Sequence, residues 1–500
     1  MSDFWSQRRM GVLLHPTSLP GPFGVGDLGP GARAFVDWLV GAGVSVWQML
    51  PICPPGGPRD DVPYASWASL VGNPQLLSLE DLRDDGLLTA REVVPSGDDV
   101  GWAHLEQASV EKEARVDDAV ERLLRDHPLR MEFERYRERS PWAVTAARFA
   151  ARKRACDGAP WWAWPEDLRS ANDKGPASMV PDTERILARF FLFDRQWKAL
   201  RAYARSRGVG VMGDVPIYVL HDSADIWAYP EGWQLDDQGQ PTAVSGAPPD
   251  MFSADGQRWG SPLYDWDRMR ADEYTWWRLR LARAFEDFDA VRIDHFRAFS
   301  AYWSIPAEAP TARDGHWVPG PGQHFFEVMR SKLGPRPLYA EDLGDIDDDV
   351  RRLLADTGIP GMKILHYGFG GGADSPYLPH NIPEGSVVYP GNHDNDTSVG
   401  WFSKLEPHAR AHVQHYLGVH GDDIAWDLNR AALSSTAHLA VIQMQDLLSL
   451  PTWARMNDPG SYARPPSEWR NWRWRLKPGE ASAELAARLR FLGELYDRVR

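Results

Sequence analysis

Four carboxylates follow short apolar runs in this chain. Asp214 sits in GDV, Asp294 in RIDHFR, Glu341 in YAED beside Asp342, and Asp394 in GNHDND after His393. A charge placed where an apolar run ends is costly unless it is paired or faces a polar pocket. Opposed carboxylates without a cysteine or histidine metal set suit cleavage of a glycosidic bond. One acid, kept protonated, gives a proton to the leaving oxygen. A second, ionised, attacks the anomeric carbon or activates a water. Arg292 lies two residues from Asp294, on the same face of an extended strand, and is expected to keep Asp294 ionised. A nearby anion would raise the pKa of Glu341 and keep it protonated. His295 reads as support for Asp294 rather than a direct actor. The competing metal reading uses His393, Asp394 and Asp396 with His295, but no second histidine stands at i+2 or i+4 from His393. No metal or cofactor is expected.

These acids need a frame that brings them to one place. Eight short β-rich runs recur, at 11–16, 44–51, 209–219, 288–296, 336–343, 361–369, 385–394 and 439–448. Near-continuous apolar runs fit parallel strands covered on both faces. Helical patterns fall between most of them. Phe35, Trp38, Leu39 and Ala42 share one face, the 182–207 segment repeats Phe190, Phe193, Trp197 and Leu200, and the C-terminal run aligns Leu485, Leu489, Leu492 and Tyr496. Alternating strands and helices predict a (β/α)₈ barrel, whose chemistry sits at the C-terminal strand ends. The weak point is 370–384, between the sixth and seventh strands, which lacks a clear helix. The chain reads as a single barrel domain over 1–500 with three additions. These are a largely helical insertion at 52–181 between strands two and three, a lid-like segment at 220–268, and a loop region at 449–477 after strand eight.

Bulk properties narrow the partners. The net charge is −15, which argues against a polyanionic partner such as nucleic acid. Two cysteines give no disulfide framework, and no apolar run is long enough for a membrane span or a signal peptide, so a cytoplasmic protein is expected. The 24 tryptophans are unusual, and most are expected in the core or lid; a flat indole also suits the C–H face of a sugar ring. GVGDLG at 24–29 matches the glycine pattern of a dinucleotide site, but Pro20 and Pro22 separate it from its strand, and the reading is rejected.

The segments GVLLHPTSLPGPFGVGDLG, GDVPIYV, GAPPDMFSADGQRWGSPLY, VRIDHFRAFSAYWSIPA, YAEDLG, GNHDNDT, ARMNDPGS and RNWRWR together resemble the 4-α-glucanotransferases, or amylomaltases, of glycoside hydrolase family 77 in the α-amylase clan. The resemblance implies transfer of α-1,4-glucan segments from a glucan donor to a maltooligosaccharide or glucose acceptor, with release of glucose. It implies Asp294 as nucleophile, Glu341 as acid/base and Asp394 as the acid that grips sugar hydroxyls. It implies that Arg292, His393 and Asp214 orient the nucleophile and the bound glucose, and that Tyr64, Gln257, Trp259 and Asn457 contact glucan. The alternative is a retaining α-glucan hydrolase using the same acids. The sequence departs from the family pattern at the 52–62 loop and at Met251, Ser261 and Ala298, none of which is a catalytic acid.

Overall fold

The computed structural model describes residues 3–56, 62–94, 101–103, 105–172, 175–249, 254–460 and 470–499. Residues 57–61 of the 52–62 loop, Met251 and Phe252 of the lid, and 461–469 of the last loop region lie outside the described residues. The strands in chain order are β1 (Arg9–Leu13), β2 (Val46–Gln48), β3 (Gly210–Val215), β4 (Ala243–Ala247), β5 (Gln257–Pro262), β6 (Ala290–Ile293), β7 (Ala301–Pro306), β8 (His316–Pro319), β9 (Leu338–Ala340), β10 (Met362–Ile364), β11 (Val387–Tyr389) and β12 (Leu439–Gln443). Eight of them form a sheet in the order β10-β11-β12-β1-β2-β3-β6-β9, with every pairing parallel. Seven of these eight fall within runs read from the sequence, β1 begins two residues before its run at 11–16, and the fold is the expected (β/α)₈ barrel. β2, β6, β11 and β12 are buried along their whole length, as strands covered on both faces require.

The sheet's two ends, β9 and β10, meet at a seam that side chains close. The Ala340 N–H donates to the Pro360 carbonyl at 2.8 Å. Asp342 Oδ1 accepts from the Met362 N–H at 2.6 Å, and Asp342 Oδ2 accepts from Lys363 Nζ at 2.8 Å. Asp342 therefore does not join Glu341 at the mouth. Successive side chains of an extended segment point to opposite sides, and Asp342 joins the barrel wall instead. Burial raises its pKa, and Lys363 opposes the rise. Gly361 leaves the space: a Cβ there would stand 2.5 Å from Asp342 Oδ2.

The helices follow the strands with one gap. Pro30–Gly41 covers β1 and β2, Val180–Ser206 precedes β3, Thr275–Asp287 precedes β6, Gly322–Leu333 precedes β9, and Asp348–Thr357 joins β9 to β10. Between β10 and β11 stand only the 3₁₀ turns Leu365–Gly370 and Pro379–Asn381, at the segment where the sequence showed no helix. Ala483–Leu495 closes the barrel against the first helix, with Leu489 and Leu492 buried. The glycines of 24–29 serve packing: a Cβ on Gly26 would lie 2.1 Å from the Pro16 carbonyl oxygen. Helices Leu79–Asp84, Leu105–Asp126, Arg130–Arg139 and Pro141–Ala155 lie between β2 and β3. A feature not read from the sequence is a second, antiparallel sheet of order β5-β4-β7-β8. It joins the 220–268 segment to a hairpin that follows β6. No helix among the described residues is long and apolar enough to cross a membrane.

Lys363→Met would leave Asp342 buried without its cation, which costs about 3 kcal/mol for a buried pair. Arg351→Met removes an exposed partner of Asp348 and is expected to cost less than about 1 kcal/mol. Melting temperatures of the two variants check this: only Lys363→Met is expected to melt several degrees lower.

Candidate active site

Strand register builds the site. Asp214 on β3 pairs in register with Arg292 on β6, so their side chains leave the same face of neighbouring parallel strands. Arg292 Nη1 donates to Asp214 Oδ1 at 2.9 Å and to Oδ2 at 2.7 Å. The same nitrogen stands 2.9 Å from Oδ1 of Asp294, two residues along the chain. Arg292 is 2 % exposed and Asp214 4 %, so the cation is spent wholly on these two carboxylates.

The polar chain continues across the mouth. The Tyr64 hydroxyl donates to Asp214 Oδ2 at 2.7 Å and lies 2.8 Å from His393 Nε2. Its ring stacks on the His393 imidazole with centroids 5.3 Å apart. Nε2 of His393 is also 3.1 Å from Asp394 Oδ2, and Asn457 Nδ2 donates to Asp394 Oδ1 at 2.7 Å. The Asn457 N–H donates to the His393 carbonyl at 3.0 Å, so the last loop region is fastened directly to GNHD. Tyr64 is thus a bridge between two strand ends, and Asn457 holds an acid.

Glu341 is held differently. Its Oε2 accepts the backbone N–H of His295 at 2.8 Å and its Oε1 that of Leu343 at 2.8 Å. His295 reaches this position with φ +46°, a left-handed conformation uncommon for a residue with a side chain. Its contribution is therefore to Glu341, through the backbone, where the sequence suggested support for Asp294. The His295 ring meets Trp259 edge to face at 4.8 Å, and burial pushes its pKa down to about 3. Trp259 is 39 % exposed on β5, and its Nε1–H donates to Gln257 Oε1 at 3.1 Å. Gln257 and Trp259 belong to the small sheet rather than to the barrel.

Three further features escaped the sequence reading. Trp472, buried and at φ +65°, packs against Tyr64 and His393 at 5.8 and 6.1 Å. Tyr367 is 45 % exposed and accepts from Asn395 Nδ2 at 2.9 Å. Inside the barrel, Gln48, Tyr339 and Tyr389 form a closed buried triangle: Gln48 Nε2 to Tyr339 at 3.0 Å, Tyr389 to Gln48 Oε1 at 2.8 Å, and the two hydroxyls 2.9 Å apart. Each came from a residue with an ordinary core reading, and only the register Arg292↔Tyr339 places one of them beneath the acids.

Electrostatics separate the acids. Burial lifts Glu341 to about 8; Arg292 opposes this and Asp294 adds to it. Burial also lifts Asp294, to about 6, with Arg292 opposing. The arginine expected to keep Asp294 ionised limits a rise that burial causes without abolishing it. Burial would raise Asp394 too, but His393 and the Asn457 amide outweigh it and hold its pKa well below the usual range.

A family model described as 4-alpha-glucanotransferase, glycoside hydrolase family 77, matches residues 14–481. The 4-alpha-glucanotransferase of Thermus thermophilus is 43% identical over 98% of this chain and 99% of its own length. The chain belongs to this family. It is an enzyme of the 4-alpha-glucanotransferase type. The chloroplastic/amyloplastic 4-alpha-glucanotransferase of Arabidopsis thaliana is 43% identical over 99% of this chain and 86% of its own. The structure of a Streptococcus agalactiae amylomaltase in complex with acarbose superposes with a TM-score of 0.93 at 32% identity, covering 99% of this chain and all of that one.

A reaction that needs Asp294 ionised and Glu341 protonated gains activity as pH rises through the Asp294 value and loses it as pH rises through the Glu341 value. Limbs near 6 and 8 are expected in kcat/KM, as apparent values of the interacting pair. Initial rates in buffers from pH 4 to 10 check this. In Glu341→Gln, a maltosyl substrate with an activated leaving group is expected to show no alkaline limb.

Proposed function

We propose that the enzyme transfers α-1,4-glucan segments by double displacement, with Asp294 as nucleophile and Glu341 as acid/base. The observation that carries this is the unequal support of two neighbouring acids: Asp294 on a buried arginine, Glu341 on two neutral backbone N–H groups. In the first step an Asp294 oxygen bonds the anomeric carbon. The bond from that carbon to the leaving 4-oxygen breaks, and the Glu341 proton passes to that oxygen. In the second step an acceptor 4-hydroxyl gives its proton to Glu341 and bonds the anomeric carbon, releasing Asp294. Two inversions return the starting configuration. Asp394, ionised and fixed by Asn457 and His393, accepts hydrogen bonds from sugar hydroxyls and is placed to stabilise positive charge at the ring. Glucose is released when the leaving part of the donor is one residue long.

Water at about 55 M competes for the intermediate, and positioned groups overcome it through effective molarities of about 10⁵ M or more. An exposed indole beside the acids supports such positioning. Trp259 offers an apolar face to a sugar ring, backed by His295 and Tyr218.

Maltotriose is expected to yield glucose and a ladder of longer glucans, with reducing ends nearly constant, since each transfer forms one bond for each broken. Chromatography with a reducing-end assay checks this. Reducing ends that rise in step with maltotriose loss, without longer chains, would establish the hydrolase alternative. Asp294→Asn is expected to lower kcat by about 10⁴-fold or more with the fold kept, as for nucleophiles that act within a unit.

Trp259→Ala is expected to weaken long donors more than maltotriose, read as a larger loss of kcat/KM on amylose than on the trisaccharide. Equal losses would show that the indole only packs.

A further inference from the structure

Behind the polar chain lies a cavity of about 10 Å³, lined by His15, Ser18, Leu50, His393 and Met456 among others. That is room for about one water molecule. Two of its lining residues each carry a buried imidazole nitrogen without a partner among the described residues: His15 Nδ1 and His393 Nδ1. His15 is 5 % exposed and His393 2 %, so bulk solvent does not satisfy either atom. Buried polar atoms left without a hydrogen bond are destabilising, and a site with several polar partners is where internal water is found.

Proton bookkeeping fixes which atoms carry hydrogen. The single Tyr64 hydroxyl proton goes to Asp214, so the tyrosine oxygen accepts from His393 Nε2, and that nitrogen carries a hydrogen. The same Nε2–H faces Asp394. On His15, the ring hydrogen-bonds the Leu50 backbone, while burial lowers its pKa to about 3. The neutral His15 ring donates to Leu50 through Nε2 and turns the Nδ1 lone pair to the cavity. Among the described residues, Ser18 Oγ has only the Met456 sulfur, at 4.0 Å, as its side-chain partner.

We propose that one internal water, donating to His15 Nδ1 and His393 Nδ1 and accepting from the Ser18 hydroxyl, locks His393 as its Nε2–H tautomer, making His15 a positioning residue for Asp394. His15 touches neither substrate nor the acids. It acts by keeping a lone pair, rather than a proton, on the inner side of His393, so that the outer side always donates to Tyr64 and Asp394. The inference rests on Asp394 acting at the sugar ring only for its kinetic arm; the structural arm is independent of the reaction.

The test has two arms. A crystal structure of the intact protein at about 1.5 Å is expected to show one water within hydrogen-bond reach of both Nδ1 atoms. A dry cavity, or a water bonded to neither ring, would overturn the proposal. In the kinetic arm, His15→Phe keeps the ring volume and removes the acceptor. It is expected to lower kcat about 10- to 100-fold, the range seen when a group that orients a histidine is lost, with KM for maltotriose little changed. His15→Asn keeps an oxygen near the position of Nδ1 and is expected to restore most of kcat. Equal loss in both variants with matching falls in melting temperature would mean that His15 only packs, and would also overturn it. If His15→Phe does not fold, the water density and the His15→Asn rate still decide. If the wild type proves to be a hydrolase, the same comparison is made on its hydrolytic rate.

Discussion

Everything at the mouth of this barrel depends on one buried guanidinium. Arg292 has Asp214 on one side and Asp294 on the other, and is almost sealed from water. A cation in that position cannot be left unpaired, and neither can either carboxylate. The register of β3 and β6 delivers the first partner, and the two-residue repeat of β6 delivers the second. Tyr64 then extends the network from Asp214 to His393, which meets Asp394. Three strand ends, with the loops that carry Tyr64 and Asn457, are held in one polar chain by the need to satisfy that one charge.

The other acid is positioned by backbone, and at a cost. His295 takes a left-handed conformation that a side-chain-bearing residue adopts at about 1–2 kcal/mol, and in return its N–H points at Glu341. The neighbouring N–H of Phe296 donates to the Glu341 carbonyl at 3.1 Å, so the turn after β6 grips both ends of this residue. Strain here supplies geometry that a regular strand end does not provide.

The barrel strands were legible because each is a short, nearly continuous apolar run, a pattern that comes from burial on both faces. The missing helix between β10 and β11 was legible for the same reason, since no amphipathic repeat fills that segment. The small sheet was not: Gln257–Pro262 and Ala301–Pro306 carry mixed patterns, both pair with Ala243–Ala247, and the second pairing joins segments far apart in sequence. The acids could be chosen by type and place, but their partners could not. Asp342 looked like a second acid at the mouth and is part of the seam. Asn457, which the resemblance makes a glucan contact, is also a donor to Asp394. Such roles depend on which residues meet across the barrel, and local spacing does not carry that information.

Protein takes the place of water around all three acids, nearly completely at Glu341 and in part at Asp294 and Asp394, and that burial alone would raise all three. What separates them is the kind of partner each receives. Glu341 receives two neutral N–H donors, too little to hold a charge against burial, and so keeps its proton near neutral pH. Asp294 receives half of an arginine whose other half serves Asp214, and sits just on the ionised side of neutrality. Asp394 receives an amide and a histidine that it shares with Tyr64, and stays ionised throughout. Dividing Arg292 between two carboxylates is therefore the decisive allocation. A whole arginine on Asp294 would make it a weaker base and a poorer nucleophile, whereas none would leave it protonated. Shared, it gives a carboxylate that is ionised yet reactive, beside an acid that is protonated yet able to give its proton away.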